Sequence, residues 1–442
     1  MILVFSINFI IYAFFLSWSY KGGSLYQRIY PTRGNDSTEY LTLAENIVEK
    51  GVFTIDSSLG APDTLRTPGY PLFLAGILLF FKNPKILPFF QIILLLITSL
   101  LIFLIGCQIY SPKAGFFAGL FYGINPITSF YTAVIYSDIL FVFLVILFTY
   151  LYIKRIFEIN YYWAFSGGLI LGCLTLVRSI GLYLIVLVLI ITLIGLIRVK
   201  IKTRLVLAVF FMILGSCVVL VPWCVRNYRI SKVFSLSSLS TYNFANYNLM
   251  LFLEKNRESN PEEFISYQNE LNRIGNLRLL QNQDKILALI KKYLAPNLAG
   301  YITFHIKGSI IFLFKSDIES AIQIYNRTIH PGYPAAENKS FVSLWRKTTD
   351  HWRYLVESAF WGVALLLSFY SVFYRKFDPN FIFFFLFIIL FMLLTGPVSY
   401  DVRYRIPAQP FLLLSFFGSM RPALSEIRRL ISGKYKNETG RI

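Results

Sequence analysis

Residues 86–107 read ILPFFQIILLLITSLLIFLIGC, and residues 381–394 read FIFFFLFIILFMLL. A run approaching 20 apolar residues is long enough to cross a bilayer as a helix, which satisfies its own backbone hydrogen bonds. Phe141–Ile153 and Leu205–Val221 are comparable runs. The 442-residue chain is 56% hydrophobic and only 15% charged. A soluble domain has no use for so much apolar surface, so the expected class is an all-α polytopic membrane protein.

The net charge of +19 does not imply nucleic acid, because no soluble basic domain carries it. Lys and Arg collect in the cytoplasmic loops of polytopic proteins, and lipid phosphates are the natural anionic partners. Cys107, Cys173, Cys217 and Cys224 lie in or beside apolar runs without disulfide or metal spacing. The histidines His305, His330 and His351 are scattered. Met1–Trp18 lacks a basic start and a small-residue cleavage site, and reads as a retained first helix.

Four short basic stretches mark the cytoplasmic side: Lys154-Arg155, the segment Arg198 to Arg204, Arg375-Lys376, and a tail with Arg428, Arg429, Lys434 and Lys436. Placing them inside gives about ten or more crossings. It divides the chain into an N-terminal membrane module 1–223 with a first outer loop 20–88, an extracytoplasmic or interfacial region 224–353, and C-terminal helices with a cytoplasmic tail 354–442. Thr38–Lys50 has a helical apolar stripe ended by Gly51, Asp284–Tyr293 suits a helix lying on the membrane, and Tyr301–Phe314 reads as interfacial or re-entrant. This topology puts Asp36, Arg66, Asp138, Arg178, Arg226, Asp401, Arg403 and Arg405 all on the outer side, where they can share one site. The lack of an inverted repeat argues against a secondary transporter.

Each of these residues also has an ordinary explanation. Asp36 and Glu39 have capping-box spacing, and Asp138 can cap the helix that follows it. Alternatively, Asp36 is a general base and Asp138 a second acid, the two together able to hold magnesium, manganese or calcium through oxygen ligands. Arg178 interrupts an apolar stretch of about 35 residues, either at a hairpin tip or as an intramembrane functional group. Arg226 has the position of an interfacial anchor. Arg403-Tyr404-Arg405 is either an aromatic-basic belt or a phosphate clamp. Arg66-Thr-Pro-Gly-Tyr-Pro71 adds a cation held by a turn.

In this order, Asn35-Asp36 with Tyr40 and Ala44, Arg66–Pro71, Tyr136-Ser137-Asp138, Pro222-Trp223 with Arg226-Asn227-Tyr228, and Arg403-Tyr404 with Pro407 and Pro410 resemble the multi-pass glycosyltransferases that use polyprenyl-phosphate sugars. That family includes the dolichyl-phosphate-mannose protein mannosyltransferases and the aminoarabinose transferase of lipid A. The resemblance implies a GT-C bundle with juxtamembrane helices in the first outer loop. It implies that Asp36 is the catalytic acid of that loop and that Asp138 is the second acidic position. Arg403 matches the basic group near the lipid phosphate, with Arg405, Arg178, Arg226 and Arg66 as further phosphate ligands. Tyr404, Tyr70 and Glu39 are the candidates to touch substrate. Several relatives carry two adjacent acids in the first loop, whereas Asn35 and Ser37 flank Asp36 here, which leaves metal dependence open.

The expected reaction is inverting transfer of a sugar from a polyprenyl phosphate to a lipid, glycan or protein acceptor, in the inner (plasma) membrane with the site facing the periplasm. A ligase or polymerase using pyrophosphate-linked glycolipids, and a lipid-linked glycan flippase, are the alternatives.

Overall fold

A computed structural model describes residues 2–4, 6–10, 36–56, 61–155, 160–196, 202–314, 316–317, 352–376, 378–395 and 402–431. The described residues are helical with connecting turns and contain no strand. The described part of the expected first helix, within residues 2–10, is helical, whereas Asp401 and tail residues Lys434 and Lys436 lie outside the described set.

Two helices, α1 (Asp36–Lys50) and α2 (Gly69–Phe81), pack together. Gly51 ends α1 with φ +68°, a left-handed position that glycine takes without strain. Then come α3 (Leu87–Ile109), α4 (Pro112–Gly123), α5 (Pro126–Ala133) and α6 (Asp138–Arg155). The chain turns by 118° between α5 and α6. Gln91 on α3 supports this bend, donating to the carbonyls of Thr132 (3.0 Å) and Val134 (2.8 Å). The stretch around Arg178 is a hairpin of α7 (Tyr161–Val177) and α8 (Gly181–Leu196), as expected for a charge at a tip.

Helix α9 (Lys202–Ser231) packs tightly on α7. Val206, Phe210 and Val218 are exposed along it, as on a helix that faces lipid. The close approach to α7 depends on small residues: a Cβ at Gly168 would run into the Met212 backbone, and one at Gly172 would lie 2.7 Å from Val219. Gly168→Val is therefore expected to destabilise the protein by about 1–3 kcal/mol. A Cβ at neighbouring Gly167 would meet Phe148 at an ordinary 3.5 Å, so Gly167→Ala should be neutral. Thermal unfolding in detergent checks both, and equal midpoints would exclude this packing.

A second, smaller core follows α9. It gathers Ala245, Phe252, Tyr267, Ile286 and Tyr293 from a π-helical turn (Phe244–Leu249), α10 (Met250–Lys255), α11 (Pro261–Ile274) and α12 (Gln283–Leu294). Next are α13 (Leu298–Phe314), α14 (Trp352–Tyr374), α15 (Pro379–Thr395), a 3-10 turn (Val402–Arg405) and α16 (Gln409–Ile431).

Among the described residues, three helices are long and apolar enough to cross a membrane, Pro84–Ile109, Val206–Ser231 and Leu355–Tyr374, and the bent α5–α6 pair makes a fourth. This is a membrane protein, and its described residues hold fewer full-length spans than the roughly ten expected of the chain. Several expected crossings are apolar helices of 10–17 residues, such as those of the hairpin and Pro379–Thr395. Seventeen residues rise only about 25 Å, short of a full hydrocarbon core.

Candidate active site

Asp36, Glu39 and Tyr40 lie three and four positions apart at the start of α1 and so share one face. Arg66, from the turn before α2, lies against that face. Its Nη2 donates to Asp36 Oδ1 (2.5 Å) and its Nε to Glu39 Oε2 (2.7 Å), with the guanidinium 5.0 Å from the Tyr40 ring centre. Asp63 fixes the turn by accepting the Arg66 backbone N–H at 2.7 Å. The two carboxylates thus face arginine, as an ion-paired site demands and an ordinary capping box does not.

The 3-10 turn before α16 brings Arg403 to the other side of Asp36. Its Nη2 donates to Asp36 Oδ2 at 3.2 Å and to the Tyr404 hydroxyl at 3.3 Å. The guanidinium lies against the rings of Tyr136 (4.8 Å) and Tyr404 (5.0 Å). Residues 367 positions apart therefore meet at one carboxylate. Burial disfavours the charge on Asp36, but Arg66 and Arg403 outweigh it and hold the carboxyl well below the usual carboxylate range. Burial likewise opposes ionisation of Glu39, and Arg278 and Arg66 reverse it.

Several expected site residues have other partners. Arg405 is fully buried and donates to Asp317 Oδ1 at 2.6 Å, with Glu357 at 3.8 Å and the Trp361 ring at 4.8 Å. It forms a core ion pair, because positions two apart in a 3-10 turn point to different sides. Asp138 pairs with Arg178, whose guanidinium lies 5.8 Å from the Phe141 ring. That ion pair joins the start of α6 to the α7–α8 tip. Arg226 donates to the carbonyls of Asp63 (2.7 Å) and Phe53 (3.4 Å), which fastens the stretch between α1 and α2 to α9. Tyr70 is fully buried and donates to Gln91 Oε1 at 3.0 Å, which supports the α5–α6 bend. Glu39 is buried between two arginines and acts as their counter-ion.

The expected pairing of Asp36 with Asp138 as metal ligands fits poorly. Guanidinium groups already engage both carboxylates, and among the described residues no three His, Cys, Asp or Glu side chains come together to hold a metal ion. The Asp138 pair nevertheless adjoins the site, since Tyr40 and Ser137 hydroxyls lie 3.5 Å apart and Tyr136 carries Arg403.

Two participants have no motif around them. Arg278, in the turn after α11, donates to Glu39 Oε1 at 2.7 Å and has Asp63 Oδ2 at 3.7 Å. Its carbonyl accepts from the Thr64 (3.2 Å) and Ser238 hydroxyls, which locks the smaller core onto the Arg66 turn. Tyr247, in the π-helical turn, is exposed, and its ring packs 6.0 Å from that of Tyr242. Burial of the hydroxyl, with Tyr242 and the charge of Asp36, pushes its pKa up to about 12, so it keeps its proton. π-Turns concentrate at functional sites.

No family model matches the sequence, and no curated protein sequence matches it either. Among solved structures, the chain is similar to the oligosaccharyltransferase of Archaeoglobus fulgidus in its apo form, with a TM-score of 0.50 and 11% identity over 97% of this chain and 52% of that one. It is also similar to the same organism's oligosaccharyltransferase AglB in complex with an inhibitory peptide and a dolichol-phosphate, with a TM-score of 0.50 and 13% identity over 99% and 52%. This chain spans about half the length of the structures it matches. At such identity the likeness is one of fold alone.

Proposed function

We propose that this chain is a membrane glycosyltransferase that moves a glycosyl group from a polyprenyl-phosphate donor to a lipid, glycan or protein acceptor, with inversion. The observation that carries this reading is the meeting of Asp36, Arg66 and Arg403 beside the aromatic rings of Tyr40, Tyr136 and Tyr404. The dolichol-phosphate in the AglB complex supports a lipid-linked donor, and the peptide there supports a protein acceptor. The finer kinship is with the mannosyl- and aminoarabinosyltransferases. The same reading places the site on the periplasmic side of the inner membrane and takes the short apolar helices as further crossings.

In this mechanism Arg403 receives the donor phosphate, and its planar fork matches phosphate geometry. The acceptor hydroxyl or amine attacks the anomeric carbon as the bond from that carbon to the phosphate oxygen breaks. The bonding electrons leave with the phosphate, and the acceptor proton passes to Asp36. Charge gathers on the departing phosphate, so a preorganised cation contributes more to the transition state than to the ground state. Arg66 stays with Asp36 and Glu39 and fixes their orientation. No step is assigned to a metal ion.

Mass spectrometry of polyprenyl-phosphate sugars in membranes of cells carrying wild type or Arg403→Ala tests the reading. A sugar-loaded lipid should accumulate in the variant. Equal pools, with wild-type activity demonstrated in the same cells, would remove the donor assignment.

A further inference from the structure

We propose that Arg278 is a positioning residue for transfer: through Glu39 it holds Arg66, and Arg66 in turn aims the Asp36 carboxylate. This rests on the transferase reading and deepens it. The four side chains alternate in charge. Arg278 Nη1 donates to Glu39 Oε1 at 2.7 Å, and Arg66 Nε donates to Glu39 Oε2 at 2.7 Å. Arg66 Nη2 then donates to Asp36 Oδ1 at 2.5 Å. Each oxygen of Glu39 has its own arginine, which fixes the plane of the carboxylate presented to Arg66.

Arg278 faces both acids that fix Arg66. Glu39 holds the guanidinium, and Asp63 holds the backbone by accepting the Arg66 N–H at 2.7 Å. Arg278 bonds the first acid and brings Nη2 to 3.7 Å from Asp63 Oδ2. Both acids are buried. Without the Arg278 charge they would both draw on Arg66, which also has to serve Asp36. The Arg278 side chain starts from a fixed base. Its N–H donates to Asn276 Oδ1 at 3.0 Å, and Asn282 Nδ2 donates to the Asn276 carbonyl at 2.9 Å. The Arg278 carbonyl accepts from the Thr64 hydroxyl, which in turn accepts from the Leu280 N–H, both at 3.2 Å. These bonds to Thr64 use the main chain of the turn. They survive a change of side chain at position 278, so docking of the smaller core and the action of the charge can be separated.

The test compares wild type, Arg278→Met, Arg278→Lys, Glu39→Gln and the double variant Arg278→Met/Glu39→Gln. The donor is the sugar-loaded lipid purified from membranes of cells carrying Arg403→Ala. Release of free polyprenyl phosphate in membranes carrying each protein gives kcat and the KM for donor, and the thermal midpoint in detergent is read beside them. Methionine keeps the aliphatic stem and removes the charge. Displacing a reacting group by about 1 Å can cost about 100-fold, so Arg278→Met should lower kcat by about 10- to 100-fold with KM unchanged. Arg278→Lys restores a cation without the planar fork and should recover part of the loss. In the Glu39→Gln background, Arg278→Met should lower kcat by no more than about twofold further, because the group through which it acts is gone.

A kcat for Arg278→Met within about twofold of wild type would overturn the positioning role while leaving the transferase reading intact. A loss of the same size in the Glu39→Gln background would do so too, because Arg278 would then act by another route. So would a loss confined to KM, or a lysine variant no better than methionine. If Arg278→Met does not fold, Arg278→Lys and Glu39→Gln run the same cycle, and additive losses would overturn the role. Failure of any sugar-loaded lipid to accumulate in Arg403→Ala membranes would instead overturn the transferase reading, and this role with it.

Discussion

Asp36→Asn is expected to lower turnover by about 100- to 10,000-fold, the usual contribution of a positioned general base, while leaving the helical fold in place. Asparagine keeps the shape of the side chain but cannot take a proton from the acceptor. The fold should tolerate the change because Asp36 lies at the open end of α1 with its side chain 28% exposed. Arg66 also retains Glu39 as a counter-ion. The check is single-turnover transfer from a polyprenyl-phosphate sugar, read beside the thermal midpoint of the same preparation. Turnover within about threefold of wild type at an unchanged midpoint would remove Asp36 from the chemistry, because a positioned general base typically contributes about 100-fold or more.

The sequence reading succeeded where chemistry is local. Apolar runs became helices, the charge at Arg178 marked a hairpin tip, and Gly51 ended α1 in the left-handed conformation that its position suggested. Asp36, Arg66 and Arg403 were each recognisable from their surroundings, and the structure joins them. Lying on one side does not bring every one of these residues to Asp36. Asp138 and Arg178 neutralise each other, and Arg226 holds loop carbonyls, because every buried charge or carbonyl recruits its nearest partner.

Helix α2 was hidden for a different reason. Its 13 residues are too few to cross a membrane, and Pro68, Gly69 and Pro71 look like a turn. Pro71 in fact sits in the first helical turn, where a missing backbone N–H leaves no bond unmade. Arg278 was illegible in principle, since its partner Glu39 is 239 residues away and nothing beside it marks a site.

Arg403 and Arg405 are the sharpest case, because two arginines separated by one tyrosine looked equivalent and are not. Arg405→Met is expected to cost about 3–5 kcal/mol, the penalty for leaving a buried charge without its partner. Asp317 would lose its arginine and keep only neutral donors, Asn125 at 2.9 Å and Gln409 at 3.2 Å, and Glu357 would lose the same nearby cation. Neutralising the stranded acid should recover much of the loss, so Arg405→Met/Asp317→Asn should unfold at a higher temperature than Arg405→Met alone. Arg403→Ala, two residues away and partly exposed, should change the thermal midpoint little while weakening donor binding. Thermal unfolding in detergent combined with undecaprenyl phosphate binding separates the two roles. If Arg405→Met kept the wild-type midpoint and lost binding instead, the buried pair would not be what holds Arg405, and both arginines would belong to the phosphate clamp.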